Sequence, residues 1–171
     1  MIALLNQQLA DTFDLYSQVK QAHWNVKGTR FMQLHLLFDD LASNLLEPID
    51  MIAERAMALG GTALGTARLA AAHSNLPEFP VEVVRDWQVI ELLADRFATY
   101  AASTRIAIDR AGEVNDQATM ALFIEISRTI DKHLWFLEVH LSGLILKRKA
   151  IGGNQMKLVS DKIVPAPQIV G

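Results

Sequence analysis

Apolar residues return at three- and four-residue steps over most of the chain. Ile2, Leu5, Leu9, Phe13, Tyr16 and Val19 make the first such stripe, a spacing that lays one apolar face along a helix. The pattern predicts helix A up to about Lys27, where Gly28 suits a helix stop and Thr29 can cap the next helix. Helix B is expected from about Arg30 to Leu59, closed by Gly60 and Gly61. Residues 61–81 then collect Gly, Pro and Asn around one Ala-rich piece, ARLAAAH, as a long connection holding a couple of helical turns would. Helix C puts Trp87, Ile90, Phe97, Tyr100, Thr104 and Ile108 on one face and stops at Gly112. Helix D starts near Asn115 or Asp116, either able to cap it, and carries Leu122, Ile126, Ile130, Leu134, Leu137, Leu141 and Leu144 to Gly152 and Gly153.

Two short connections and one long one predict an all-α four-helix bundle over residues 1–150. The long B-to-C crossover, with its short extra helix, joins two helices that run the same way. Residues 151–171 include Pro165 and Pro167, keep no period, and are expected as a C-terminal tail. With 171 residues, one domain suffices. Apolar residues are 51% and charged residues 20% of the chain, more apolar than a lone helical monomer needs, so other subunits are expected to cover part of the surface. The formal net charge of -3 does not point to nucleic acid or an anionic membrane. No cysteine is present; that excludes disulfides, thiolate metal sites and cysteine nucleophiles, and fits a reducing cytoplasm. The opening MIALLNQQLA lacks a basic leading region and reads as mature helix. No uncharged apolar run approaches the roughly 20 residues of a membrane span.

A chain without cysteine offers a transition metal imidazole and carboxylate donors, a mixed set that iron(II) or zinc accepts. His35 and Asp39 are four apart on helix B, and so are Asp50 and Glu54; each pair stands on one helix face. Asp39 and Asp50 are separated by about 16 Å of helix axis, so one straight helix cannot bring both pairs to one ion. Their spacing is close to three turns, however, which puts both pairs on the same side of the helix. In two copies of helix B packed antiparallel about a two-fold axis, the numbers of facing residues add to a constant. His35 with Glu54 and Asp39 with Asp50 satisfy the same constant, with the axis between Asn44 and Leu45. The interface is isologous, so two equivalent sites arise per dimer. In a hairpin turning near residue 29, His23 lies opposite His35 and joins the set.

Taken singly, a helical histidine is more often a hydrogen-bonded structural residue, and paired acids are more often a solvated face. Two histidines and three acids obeying one dimer geometry favour a metal, because burying three carboxylates without a cation is costly. Pro48 deletes the bond to the Asn44 carbonyl and is expected to kink helix B just before Asp50.

HWNVKG, FMQLHLLFDD and EPIDMIAERAMALGG, with DKHLWFLE in helix D, resemble the Dps family, the dodecameric miniferritins named for DNA protection during starvation. The likeness extends over most of residues 2–150. It implies a ferritin-like bundle whose subunits form a homododecameric shell, oxidise iron(II), preferably with hydrogen peroxide, and store ferric oxide inside. By that resemblance His23, His35 and Asp39 of one subunit face Asp50 and Glu54 of its two-fold mate as ferroxidase ligands, with Trp24 beside them and zinc a competitor for the site. No Glu-x-x-His motif occurs, which argues against the bundle-centre di-iron site of large ferritins.

Glu113 and Asp116 fall where the resemblance places acids around a three-fold pore admitting iron, although Asp116 serves equally as a helix cap. Ala121 stands where relatives often carry an acid, which implies a less acidic pore. His73, His133 and His140 are read as structural or surface residues, and Asp131 and Lys132 as candidates for interface ion pairs. Lys147, Arg148, Lys149, Lys157 and Lys162 are the basic residues a DNA backbone would meet at low salt, and nucleoid association would follow from them. The overall acidity disfavours DNA. The alternative function is a DNA-binding or structural shell whose ligand positions hold zinc or nothing.

Overall fold

The periodic stripes become five helices in a computed structural model that describes residues 1–150. They are α1 (Ile2–Asn25), α2 (Phe31–Ala58), α3 (Ala67–His73), α4 (Asp86–Glu113) and α5 (Gln117–Ala150). Facing side chains fix their directions. Lys20 meets Asp39 and His23 stacks on His35, so α1 and α2 form an antiparallel hairpin. Arg105 meets Asp131 and Phe97 packs on His133, so α4 and α5 form another. Thr12 bonds Tyr100, and Gln18 bonds Arg96, which sets α4 antiparallel to α1. It follows that α2 and α4 run parallel, as the long crossover requires. The tail expected over residues 151–171 lies outside the described residues.

The core is the meeting of the predicted stripes: Leu5, Leu9 and Val19 of α1, Phe38, Leu41, Leu45 and Ile52 of α2, Ile90, Phe97 and Tyr100 of α4, and Phe123, Ile126, Ile130 and Leu137 of α5 are all buried. Tyr100 is sealed inside with its hydroxyl 2.5 Å from Thr12 Oγ1, and burial, resisted by hydrogen bonds from Thr12 and Thr104, pushes its pKa up to about 12. The crossover is held to α1 and α4 by polar bonds. Asp11 accepts from the Asn75 backbone N–H at 2.7 Å, Ser74 donates to Asp14 at 2.6 Å, and Arg96 donates to the Pro77 and Glu78 carbonyls.

The α1–α2 turn depends on Gly28, at φ 147, where an added Cβ would lie 2.7 Å from the Asp86 carboxyl. There the chain lies against the start of α4: Lys27 N–H donates to the Val84 carbonyl at 2.7 Å and Asp86 N–H to the Lys27 carbonyl at 2.9 Å. The resulting isolated bridge is the one β pairing among the described residues. Thr29 does not cap α2; Arg30 holds the N-cap position without a side-chain bond. At the other end Asp116 caps α5 as expected, accepting from Thr119 N–H at 3.0 Å. Pro48 is buried inside α2, which runs on as a single helix on either side of it.

Candidate metal centre

His23 sits in the last turn of α1 and His35 in the second turn of α2, and the tight turn stacks their rings at 3.8 Å with planes 20° apart. Each ring bonds the other residue's backbone. Nδ1 of His23 lies 2.7 Å from the His35 carbonyl oxygen, and Nδ1 of His35 lies 2.9 Å from that of His23. The His23 carbonyl is open to this because Lys27 N–H, its helical partner by position, turns away to Val84. A carbonyl only accepts, so each Nδ1 carries a proton, and in the neutral rings each Nε2 keeps its lone pair. Bonding of this kind orients an imidazole for a metal ion.

Asp39 lies one turn beyond His35, its side chain 52% exposed and its Oδ1 3.8 Å from His23 Nε2. That oxygen is engaged by Lys20 Nζ at 2.8 Å. The hydrogen bond from Lys20, opposed by partial burial and helped by the ammonium's charge, holds the Asp39 carboxyl below the usual carboxylate range. Lys20 also lies 5.6 Å from the ring centre of Trp24, which is 66% exposed. Lys20 is not among the candidates drawn from the sequence, yet the hairpin register that pairs residue 23 with residue 35 also sets residue 20 against residue 39.

Asp50 and Glu54 are exposed on α2, on the side that also presents Asp39, Asp40, Asn44 and Glu47. Among the described residues of one chain, no three His, Asp or Glu side chains converge as an ion-binding group. Asp39 is drawn to Lys20, and the second acidic pair lies about 16 Å farther along the helix. The single chain thus presents these side chains as two separate groups. Around them large apolar side chains stand open: Met32, Leu36, Leu46 and Met57 on α2 and Trp24 on α1. Exposed apolar side chains of this size are what an interaction surface presents.

Of the two acids at the α4–α5 turn, Glu113 is exposed and Asp116 is committed. Asp116 Oδ1 accepts from Arg55 Nη2 at 2.7 Å and from Thr119 N–H, while Oδ2 accepts from Thr119 Oγ1 at 2.7 Å. Partial burial works to raise its pKa, but the bonds from Thr119 and Arg55 outweigh it and hold the carboxyl low. His133 is buried edge-on to Phe97, and desolvation, opposed by the Asp40 charge, lowers its pKa. His140 Nδ1 bonds the Phe136 carbonyl, a structural role. Asp131 pairs with Arg105 of its own chain at 2.6 Å, and Lys132 lies over Phe136. The basic residues considered for DNA, from Lys147 onward, fall beyond the described side chains.

The model of the ferritin-like domain family matches residues 2–146. A DNA protection during starvation protein of Agrobacterium fabrum is 39% identical over 141 residues, 82% of this chain and 87% of the relative. The chain belongs to the Dps family. The Dps crystal structure from Staphylococcus aureus superposes with a TM-score of 0.78 at 31% identity, covering 82% of this chain and 93% of that one. The Dps of Vibrio cholerae, described as a member of a broad superfamily of ferritin-like diiron-carboxylate proteins, does so with a TM-score of 0.77 at 26% identity, covering 82% and 87%. The bundle with its long crossover is therefore the ferritin-like fold. No helix among the described residues of this Dps chain is long and apolar enough to cross a membrane.

Proposed function

We propose that this Dps protein is a ferroxidase and iron store. It oxidises iron(II) with hydrogen peroxide at sites shared between two-fold-related subunits and holds the ferric product inside a dodecameric shell. The observation that carries this reading is the crossed bonding of His23 and His35, which leaves both Nε2 lone pairs free, that of His23 3.8 Å from the Asp39 carboxylate. Those three groups bind the substrate iron from one side, and Asp50 and Glu54 of the partner subunit bind it from the other. Imidazole and carboxylate suit iron(II). The carboxylates offset the charge gained as each ion becomes ferric. Two iron(II) ions give up one electron each, and one hydrogen peroxide takes both electrons with two protons to leave as two waters. Peroxide and ferrous ion are consumed together, so no hydroxyl radical is made, and protection against oxidative stress follows. Family membership and the diiron-carboxylate description of the Vibrio cholerae relative support the chemistry.

Lys20 must give up Asp39 when iron arrives, so its ammonium competes with substrate at this carboxylate. Zinc accepts the same donors and cannot change its redox state, which makes it an inhibitor. The test is stopped-flow oxidation of iron(II) by peroxide on the assembled protein. The rate is expected to fall at least tenfold in His35→Ala and in Asp50→Ala; a rate unmoved by both removes the ferroxidase reading. Light scattering that finds no large shell removes the storage reading.

A further inference from the structure

The two ends of α2 are anchored by different means. Pro48 has no N–H, so the Asn44 carbonyl lacks its helical partner, and the bond ladder is interrupted between the half carrying His35 and Asp39 and the half carrying Asp50 and Glu54. A missing bond of this kind is where a helix bends most readily. The first half is tied to α1 by the crossed histidine bonds. The second half is tied to α5 by Arg55, the residue next to Glu54. Its Nε donates to Thr119 Oγ1 at 2.8 Å and its Nη2 to Asp116 Oδ1 at 2.7 Å. Thr119 Oγ1 in turn donates to Asp116 Oδ2 at 2.7 Å, and Thr119 is fully buried. The guanidinium is planar and grips two acceptors at once, so it fixes direction as well as distance. Burial of Ile52 and Ala56 sets how deep this half lies in the bundle; the fork resists its rotation about, and sliding along, the helix axis.

We propose that Arg55, through Asp116 and Thr119, is a positioning residue for the metal site. It aims the half of α2 beyond Pro48, and with it the direction in which Asp50 and Glu54 leave the subunit to meet a partner's histidines. This rests on the ferroxidase reading above. It also gives Asp116 a definite role, since its carboxylate holds Arg55 instead of attracting iron at the α4–α5 turn.

Arg55→Lys keeps the charge and loses the fork, and Asp116→Asn keeps the shape and weakens the acceptor. Cobalt(II), titrated into the assembled protein and followed by its d–d absorption, reports both affinity and coordination geometry. Each variant is expected to bind cobalt about tenfold more weakly or worse, as loss of an outer support to a metal ligand does. The d–d bands should change and the iron(II) concentration giving half-maximal oxidation should rise, at unchanged helix content and shell size. On a background carrying Asp50→Ala and Glu54→Ala, Arg55→Lys should weaken cobalt no further, because the carboxylates it aims are gone. Wild-type affinity and spectrum in both variants overturn the proposal, as does an equal loss on the double background, which would mark a general structural effect. If one variant fails to assemble, the other decides by the same criteria. Wild-type protein that binds no cobalt, or binds it unaffected by His35→Ala, overturns the ferroxidase reading and this inference with it; normal binding lost in His35→Ala but untouched by Arg55→Lys overturns this inference alone.

Discussion

The crossed histidine pair makes a quantitative demand that can be tested without any metal. His35→Ala removes one Nδ1–H bond to a backbone carbonyl and one ring from the stack. The bond contributes about 1 kcal/mol net, and a ring pair about 0.5–1.5 kcal/mol, so the apo protein should lose about 2 kcal/mol. For a domain of this size that is a fall in Tm of roughly 4–8 °C. His23→Ala removes the other bond and the same stack, and should cost a similar amount. The stack is lost once in the double variant but counted twice when the single effects are summed. A double-mutant cycle should therefore show a coupling of about 1 kcal/mol, the worth of the stacked pair. Urea unfolding of metal-free wild type, both single variants and the double variant measures it. Additive losses would mean that the stacked rings do not stabilise each other and that each histidine is held by its own backbone bond alone. Zinc added to the same four proteins should raise the Tm of wild type well above that of any variant.

Three further outcomes follow from other groups in the chain. Asp39 has a lowered pKa in the folded chain because of Lys20, so its stabilising contribution is present above the unfolded carboxylate pKa and is lost as pH falls through the folded one. Lys20→Met should raise the Asp39 pKa in a carboxyl-carbon NMR titration, flatten the acid side of the stability profile and tighten zinc binding. Tyr100 behaves in the opposite sense: its contribution is intact below the unfolded pKa of about 10 and is lost progressively as pH rises from there through about 12. Tm should thus drop steeply above pH 10 in wild type and less steeply in Tyr100→Phe. Gly28→Ala places a Cβ at φ 147 and 2.7 Å from the Asp86 carboxyl, and should cost about 1–3 kcal/mol by urea unfolding; a neutral result would mean that the α1–α2 turn does not press on α4 as described.

The helices could be read from the sequence because burial here follows period: Leu5, Leu9 and Val19, or Ile126, Ile130 and Leu137, are simply the inward positions of regular helices. The grouping of His23, His35 and Asp39 is legible for the same reason, since a hairpin turning near residue 29 dictates which side chains meet. What stays hidden depends on the backbone or on competition between partners. That the His23 carbonyl is free for His35 follows from Lys27 N–H pairing with Val84, a residue on a distant connection. That Asp116 is committed follows from the reach of Arg55 across to the start of α5. Lys20 could have been found, because the hairpin register that sets His23 against His35 also sets it against Asp39. Thr29 has the chemistry of a cap for α2, but the contact of the turn with α4 moves the helix start past it.

The 16 Å or so between the two donor pairs of α2 has a genetic consequence. In the proposed dimer each chain lends its histidines to one site and its far carboxylates to the other. A chain carrying His35→Ala and a chain carrying Asp50→Ala, each inactive when assembled alone, place both lesions in the same site when they pair. The other site is then built wholly from unaltered residues. Co-expressed defective alleles of this one gene should therefore complement each other.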